Sequence, residues 1–217
     1  MHTYLNLYFI AGTQDCRHLD GDPSDNLLHI LEQALQGGIT CYQFREKGEG
    51  SLQDSGQIRR LAQQCRDLCQ RYHVPFFVNN DVALALELGA DGVHVGQDDM
   101  PIEQVIQHCQ GKLKIGLTIN NLWQGKKAAE ISGIDYFGVG PIFSTQSKVD
   151  AKNVVGIELI KAIRMADITQ PIVAIGGINT TNCIGIRRAG ADGLAVISAI
   201  TRSTQRQQDI AYLLDTQ

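Results

Sequence analysis

The chain has 217 residues, of which 43% are hydrophobic and 19% charged, proportions that suit one domain with a sizeable core. Its net charge of -4 argues against general electrostatic adhesion to nucleic acid or anionic membranes, so any anion site has to be local. No apolar run is long enough to span a bilayer, and Met1-His2-Thr3-Tyr4 lacks the basic region and apolar core of a signal peptide. The six cysteines, Cys16, Cys41, Cys65, Cys69, Cys109 and Cys183, form no close CxxC pair, which points to reduced thiols in a cytoplasmic protein.

Taken in chain order, short apolar runs predict strands over Leu5 to Ala11, Thr40 to Arg45, Phe76 to Asn79, Gly92 to Val95, Leu113 to Leu117, Tyr136 to Val139, Ile172 to Ile175 and Gly193 to Ile197. Between them lie helical patterns such as Asn26 to Leu35 and Ile58 to Cys69, with apolar residues at three- and four-residue steps. Glycine junctions (Gly37-Gly38-Ile39-Thr40, Gly89-Ala90-Asp91-Gly92, Gly133-Ile134-Asp135-Tyr136 and Gly190-Ala191-Asp192-Gly193) end a helix before every second strand. Prolines introduce the third and seventh strands, at Pro75 and Pro171. The expected architecture is of the α/β class, a (β/α)8 TIM barrel formed as a single domain over residues 1–217, with an open doubly wound sheet as the alternative.

In such a barrel the active site lies at the carboxyl ends of the strands. After the second strand, Tyr42-Gln43-Phe44-Arg45-Glu46-Lys47-Gly48 puts Gln43, Arg45 and Lys47 on one face and Tyr42, Phe44 and Glu46 on the other. A planar guanidinium fork and an ammonium beside an amide suit a diphosphate; a surface ion-pair cluster with Glu46 is the plainer alternative. The same rule collects Asn79, Asn80 and Asp81, then Gln97, Asp98 and Asp99, then Thr118. It adds the loop Gly140 to Lys148, with Thr145, Gln146, Ser147 and Lys148, and finally Gly176-Gly177 and Ile197-Ser198, a customary phosphate position in barrels. Gly176-Gly177 read alone is equally a tight turn.

Carboxylates beside Arg45 and Lys47 imply a magnesium ion, which bridges phosphate oxygens using one or two protein carboxylates and water. Asp99 is the preferred ligand; Asp98 or Asp99 could instead cap a helix beginning near Pro101. His94 sits within the fourth strand and reads as a supporting residue rather than a catalyst.

These motifs resemble the thiamine phosphate synthase family in order along most of the chain. The matching stretches are Tyr42 to Lys47, Pro75 to Asn79, Gly92 to Asp99, Gly138 to Phe143, Ala174 to Ile178, Gly190 to Gly193 and Val196 to Ile200. The resemblance implies a transferase that joins 4-amino-5-hydroxymethyl-2-methylpyrimidine diphosphate to a thiazole phosphate, or its carboxylate. Carried over by position, Gln43, Phe44, Arg45, Glu46, Lys47, Asn79, Thr118 and Lys148 would hold the pyrimidine diphosphate. Thr145, Gln146, Ser147, Gly177, Ile197 and Ser198 would hold the thiazole phosphate. Asn80 and Asp99 would hold Mg2+, with Asn80 standing where the family usually has aspartate, and Asp81 or Asp98 as substitutes. Arg45, Lys47 and Lys148 would stabilise the departing diphosphate, with no general base required.

The rival readings are a thiazole tautomerase, which needs a proton-transferring group such as His94 and leaves the three cations unexplained, and a non-catalytic thiamine-precursor binder, favoured only by Asn80. The implied partners are small-molecule substrates, with no nucleic acid and no membrane. Whether the chain forms a homo-oligomer is left open by the sequence.

Overall fold

The computed structural model describes residues 3–145 and 153–215. Eight parallel strands close into a barrel in sequence order: β1 Leu7–Ala11, β2 Cys41–Phe44, β3 Phe76–Asn79, β4 Gly92–Val95, β5 Lys114–Ile119, β6 Tyr136–Val139, β7 Ile172–Ile175 and β8 Gly193–Val196. β1 closes the ring on β8 through Leu7 opposite Leu194 and Phe9 opposite Val196. The barrel expectation holds and the open sheet is excluded. Strands three, four, six and seven begin and end where the apolar runs do; β5 instead runs on to Ile119.

Helices α1 Pro23–Gly37, α2 Ser55–Arg71, α3 Val82–Leu88, α4 Ile102–Cys109, α5 Leu122–Ala129, α6 Gly156–Met165 and α7 Ile184–Arg188 connect successive strands, and α8 Ser198–Thr201 and α9 Arg206–Asp215 follow β8. Their starts follow from local chemistry. Asp22 accepts from Ser24 N and Asp25 N ahead of Pro23, Asp54 accepts from Gln57 N, and Asp81 accepts from Leu84 N at 2.9 Å. At the other end Gly38 and Gly89 take the left-handed conformation that terminates α1 and α3.

A polar residue within each glycine junction does more than the glycine. Thr40 N donates to Leu7 O (2.9 Å) while Thr40 Oγ1 accepts from Leu7 N (2.8 Å). Asp91 forms the same reciprocal pair with Phe76, its carboxylate 2.8 Å from Phe76 N. Asp135 does so with Ile115 and Asp192 with Ile172, each carboxylate 2.7 Å from the amide it accepts. One residue thus satisfies both backbone groups at the start of the preceding odd-numbered strand, where the ladder alone leaves the amide without a partner. The repeat seen in the sequence is a clamp that fixes register four times around the barrel.

The pleat then sorts the side chains. Leu7, Phe9, Tyr42, Phe44, Phe76 and Val78 face outward into the layer shared with the helices. Tyr8, Ile10, Cys41, Phe77, Tyr136, Val173, Ala195 and Ile197 fill the barrel interior. The clamps lie at the opposite end from the carboxyl ends of the strands, so their loss separates stability from chemistry. Asp135→Ala is expected to lower unfolding free energy by about 1–3 kcal/mol, the usual cost of leaving a buried donor without its partner, with kcat/KM unchanged; paired denaturant melts and steady-state assays check it.

Candidate active site

A cleft opens at the carboxyl ends of the strands. Along β2 and its loop, Gln43, Arg45 and Lys47 line it together with Asn79, Asn80, His94, Asp98, Asp99, Thr118, Thr145, Gly177, Ile197 and Ser198. Gln43 and Arg45 are buried, at 1% and 5% exposure, whereas the Lys47 side chain is 42% exposed at the rim. The structure therefore brings together most of the residues that the sequence singles out. Gln146, Ser147 and Lys148 lie outside the described residues.

Phe44 and Glu46 do not present side chains to this cleft. Phe44 packs in the outer layer at 2% exposure. The Glu46 carboxylate accepts from Thr13 N at 3.0 Å and Leu52 N at 2.6 Å, and also from the Thr13 hydroxyl. Glu46 is thus an anchor for two loops, and its main engagement is with amides and a hydroxyl on the far side of the segment. The next contact completes the clamp: Arg45 N donates to Ala11 O (3.1 Å) and Arg45 O accepts from Gln14 Nε2 (2.7 Å).

Gly12 allows this approach, since a Cβ there would lie 2.1 Å from the Arg45 carbonyl oxygen. Asp15 closes the same turn through Gly12 N (3.0 Å) and Gln14 Nε2 (2.7 Å). Burial pushes the Asp15 carboxyl above its usual range, while the Gly12 amide and then the Arg45 charge pull it back. The β1 loop thereby fixes the main chain from which Arg45 projects. None of Thr13, Gln14 and Asp15 is flagged by the sequence, because Thr13 and Gln14 act on partners more than thirty positions away and Asp15 serves only to close their turn.

Around β3 and β4 the acidic residues divide. Asp81 is the α3 cap and is absent from the cleft lining, so it does not substitute for Asn80. Asp99 does not cap α4, whose N-cap Pro101 makes no side-chain cap bond; its Oδ2 accepts instead from Gly96 N at 2.8 Å and its Oδ1 from Asn80 Nδ2 at 2.8 Å. Lys47 Nζ stands 3.8 Å from the same Oδ1. Asn80 adopts a left-handed φ of 64°, a conformation asparagine tolerates better than most residues. Rotating its amide by half a turn would offer an oxygen beside Asp99, giving a hard, oxygen-based donor pair that fits magnesium when substrate phosphate and water complete the shell.

Across the cleft the β7 loop presents backbone. Gly176 O accepts from Phe143 N (3.0 Å) and Gly177 O from Asn182 Nδ2 (2.9 Å). In a trans peptide the N–H opposes the C=O, so these carbonyl anchors turn the amides of Gly177 and Ile178 the other way. Asn182 is itself held by Asn179 N at 2.9 Å. Asn182 is a further residue that sequence reasoning misses; its only signal is its short distance after the glycine pair.

A family model described as thiamine monophosphate synthase matches residues 7–200. The chain belongs to that family. Among its relatives is the thiamine-phosphate synthase of Pasteurella multocida, 57% identical over 214 residues that make up 99% of this chain and 97% of that protein. The thiamine-phosphate synthase of Listeria monocytogenes is 54% identical over 94% of this chain and 92% of its own. Among solved structures, the thiamine phosphate pyrophosphorylase from Pyrococcus furiosus superposes with a TM-score of 0.82 at 31% identity, covering 99% of this chain and 96% of that one. Membership makes the chain a transferase of thiamine biosynthesis. No helix among the described residues is long and apolar enough to cross a membrane.

The β1 clamp gives a direct test. Gln14→Ala removes no side chain that lines the cleft but releases the Arg45 carbonyl, and a small misplacement of a reacting or binding group costs on the order of tenfold or more in rate. Turnover is expected to fall by about that factor, with thermal stability nearly unchanged; kinetics beside a thermal melt check it.

Proposed function

We propose that this enzyme condenses 4-amino-5-hydroxymethyl-2-methylpyrimidine diphosphate with thiazole phosphate or its carboxylate, forming thiamine phosphate and releasing diphosphate. The observation that carries this reading is the near full-length identity to proteins named thiamine-phosphate synthase, joined to a cleft in which a buried guanidinium and a rim ammonium face the same space. The bond to be broken joins the pyrimidine methylene to a diphosphate oxygen; the bond formed joins that methylene to the thiazole nitrogen. With the carboxylated thiazole, carbon dioxide leaves as well.

Arg45 and Lys47, with Lys148, receive the negative charge that grows on the departing diphosphate, while the aminopyrimidine supports the positive charge left on the methylene. Preorganised cations of this sort act without reorganisation at the moment of reaction. No side chain has to abstract a proton, which agrees with a cleft that gathers cations, amides and hydroxyls at its mouth. Thr145, Gly177, Ile197 and Ser198, with Ser147 and Gln146 from the adjoining residues, hold the thiazole phosphate; Asn79, Gln43 and Thr118 hold the pyrimidine. Asn80 and Asp99 are the groups that would hold magnesium, which when bound supplies charge neutralisation to the diphosphate.

Formation of thiamine phosphate from the two precursors by purified protein tests the reading; its absence with magnesium present refutes it. Within it, Arg45→Ala and Lys148→Ala are each expected to lower kcat by roughly a hundredfold or more, read by steady-state kinetics. Asn80→Asp is expected to lower the magnesium concentration needed for half-maximal rate, and Asp99→Asn nearly to abolish metal-dependent turnover. Coincident magnesium titrations of wild type and Asn80→Asp would remove position 80 from the metal site and make Asp98 the better candidate.

A further inference from the structure

Beneath the charged rim, five side chains form one hydrogen-bonded chain across the cleft floor. Gln43 Nε2 donates to the Tyr8 hydroxyl (2.9 Å), and the Tyr136 hydroxyl donates to the same oxygen (3.0 Å). His94 Nδ1 lies 3.0 Å from the Tyr136 hydroxyl, and His94 Nε2 lies 2.9 Å from Thr118 Oγ1. The barrel makes room for the middle of this chain by withholding side chains. A Cβ on Gly116 would come within 2.2 Å of Tyr136 Cζ and 2.5 Å of His94 Nδ1, and one on Gly138 within 2.8 Å of His94 Cε1.

With the Tyr136 hydroxyl donating to Tyr8 and His94 taken as neutral, donor counting gives the rest of the chain. Tyr136 has one proton and gives it to Tyr8, so its oxygen accepts from His94 Nδ1–H. A neutral imidazole that donates through Nδ1 accepts through Nε2, and the Thr118 hydroxyl is the donor there. Burial pushes the Tyr8 and Tyr136 hydroxyls well above their usual value, so both keep their protons across the neutral range. Thr118, its proton committed to His94, turns oxygen lone pairs toward the cleft that it lines. The matching group on an aminopyrimidine is its exocyclic amine.

We propose that Tyr136, acting through His94, is a positioning residue that fixes Thr118 as a hydrogen-bond acceptor for the amino group of the pyrimidine substrate. The identity of that substrate rests on the reaction proposed above; the hydrogen-bond sense rests on the floor alone. A chain with the opposite sense would make Thr118 a donor and select against the amine.

Calorimetric titration of the pyrimidine diphosphate and of its analogue lacking the 4-amino group is the test, on wild type, Tyr136→Phe, Thr118→Val and the double variant. Tyr136→Phe keeps the ring that fills the interior and removes only the hydroxyl. Wild type is expected to prefer the amino compound about tenfold, the worth of one well-made hydrogen bond. Both single variants should lose most of that preference while binding the analogue within about twofold of wild type, and the double variant should lose no more than either. Should Tyr136→Phe fail to fold, Tyr8→Phe breaks the same chain one link earlier and is expected to erase the preference in the same way.

An unchanged preference in the folded variant, an equal loss for both ligands, effects that multiply in the double variant, or a wild type without preference would each overturn the proposal. Selective binding of the amino compound by a wild type that forms no thiamine phosphate would instead refute the reaction and leave the hydrogen-bond sense standing. No binding of either pyrimidine overturns both.

Discussion

Everything in this molecule depends on the two-residue period of a parallel strand held in fixed register. A slip by one residue in any strand would turn its outward leucines, valines and phenylalanines into the barrel and its inward polar groups into the helix layer. Four reciprocal clamps, made by Thr40, Asp91, Asp135 and Asp192, resist that slip at the amino-terminal ends of the odd-numbered strands. Their side chains act as though they were one more residue of backbone, accepting the amide that the neighbouring strand is too short to reach. The alternation that places Tyr42 and Phe44 outside then necessarily delivers Gln43 and Arg45 to the mouth.

Sequence reasoning recovers what local periodicity encodes. The apolar runs of β3, β4, β6 and β7 are bounded by proline or by a glycine junction, so their ends are legible to the residue. The comb of Gln43, Arg45 and Lys47 is legible for the same reason. Motif matching treats the segment as continuous, and so carries Phe44 and Glu46 into the site as well; the pleat separates them, one into the outer layer and the other onto Thr13 and Leu52. Gln14, Tyr8 and Tyr136 are hidden because each acts through a tertiary partner, and nothing in the neighbouring sequence distinguishes a buried tyrosine that fills space from one that also directs a proton. Asp81 shows the converse. Its position three residues before Leu84 is an ordinary helix cap, and capping outranks the metal role that its place in the motif suggests.

The pair Asn80–Asp99 illustrates how a single amide alters a site without removing it. Two carboxylates so close would repel and would rely on a cation to hold them together. With asparagine at position 80 the amide donates to the carboxylate directly, and Lys47 lies near the same oxygen, so the pair is satisfied by the protein's own groups. The amide's oxygen becomes available only after that hydrogen bond is broken, so the magnesium site proposed here would meet an internal competitor that a carboxylate would not present.

The cleft therefore separates two recognition problems by depth. In the proposed reaction, the buried Arg45 and the rim Lys47 would meet a diphosphate whose charge changes as it leaves, and partial exposure of Lys47 would let solvent moderate a strong field. At the floor, the two phenols are buried and the imidazole and hydroxyl half-buried, and low local polarity makes the sense of each hydrogen bond costly to reverse. Such a floor discriminates by pattern of donors and acceptors, independent of the ionic contacts above it. Glycine at positions 116 and 138 is the structural condition for that division, because any side chain there would displace the imidazole and phenol that join the two halves of the floor.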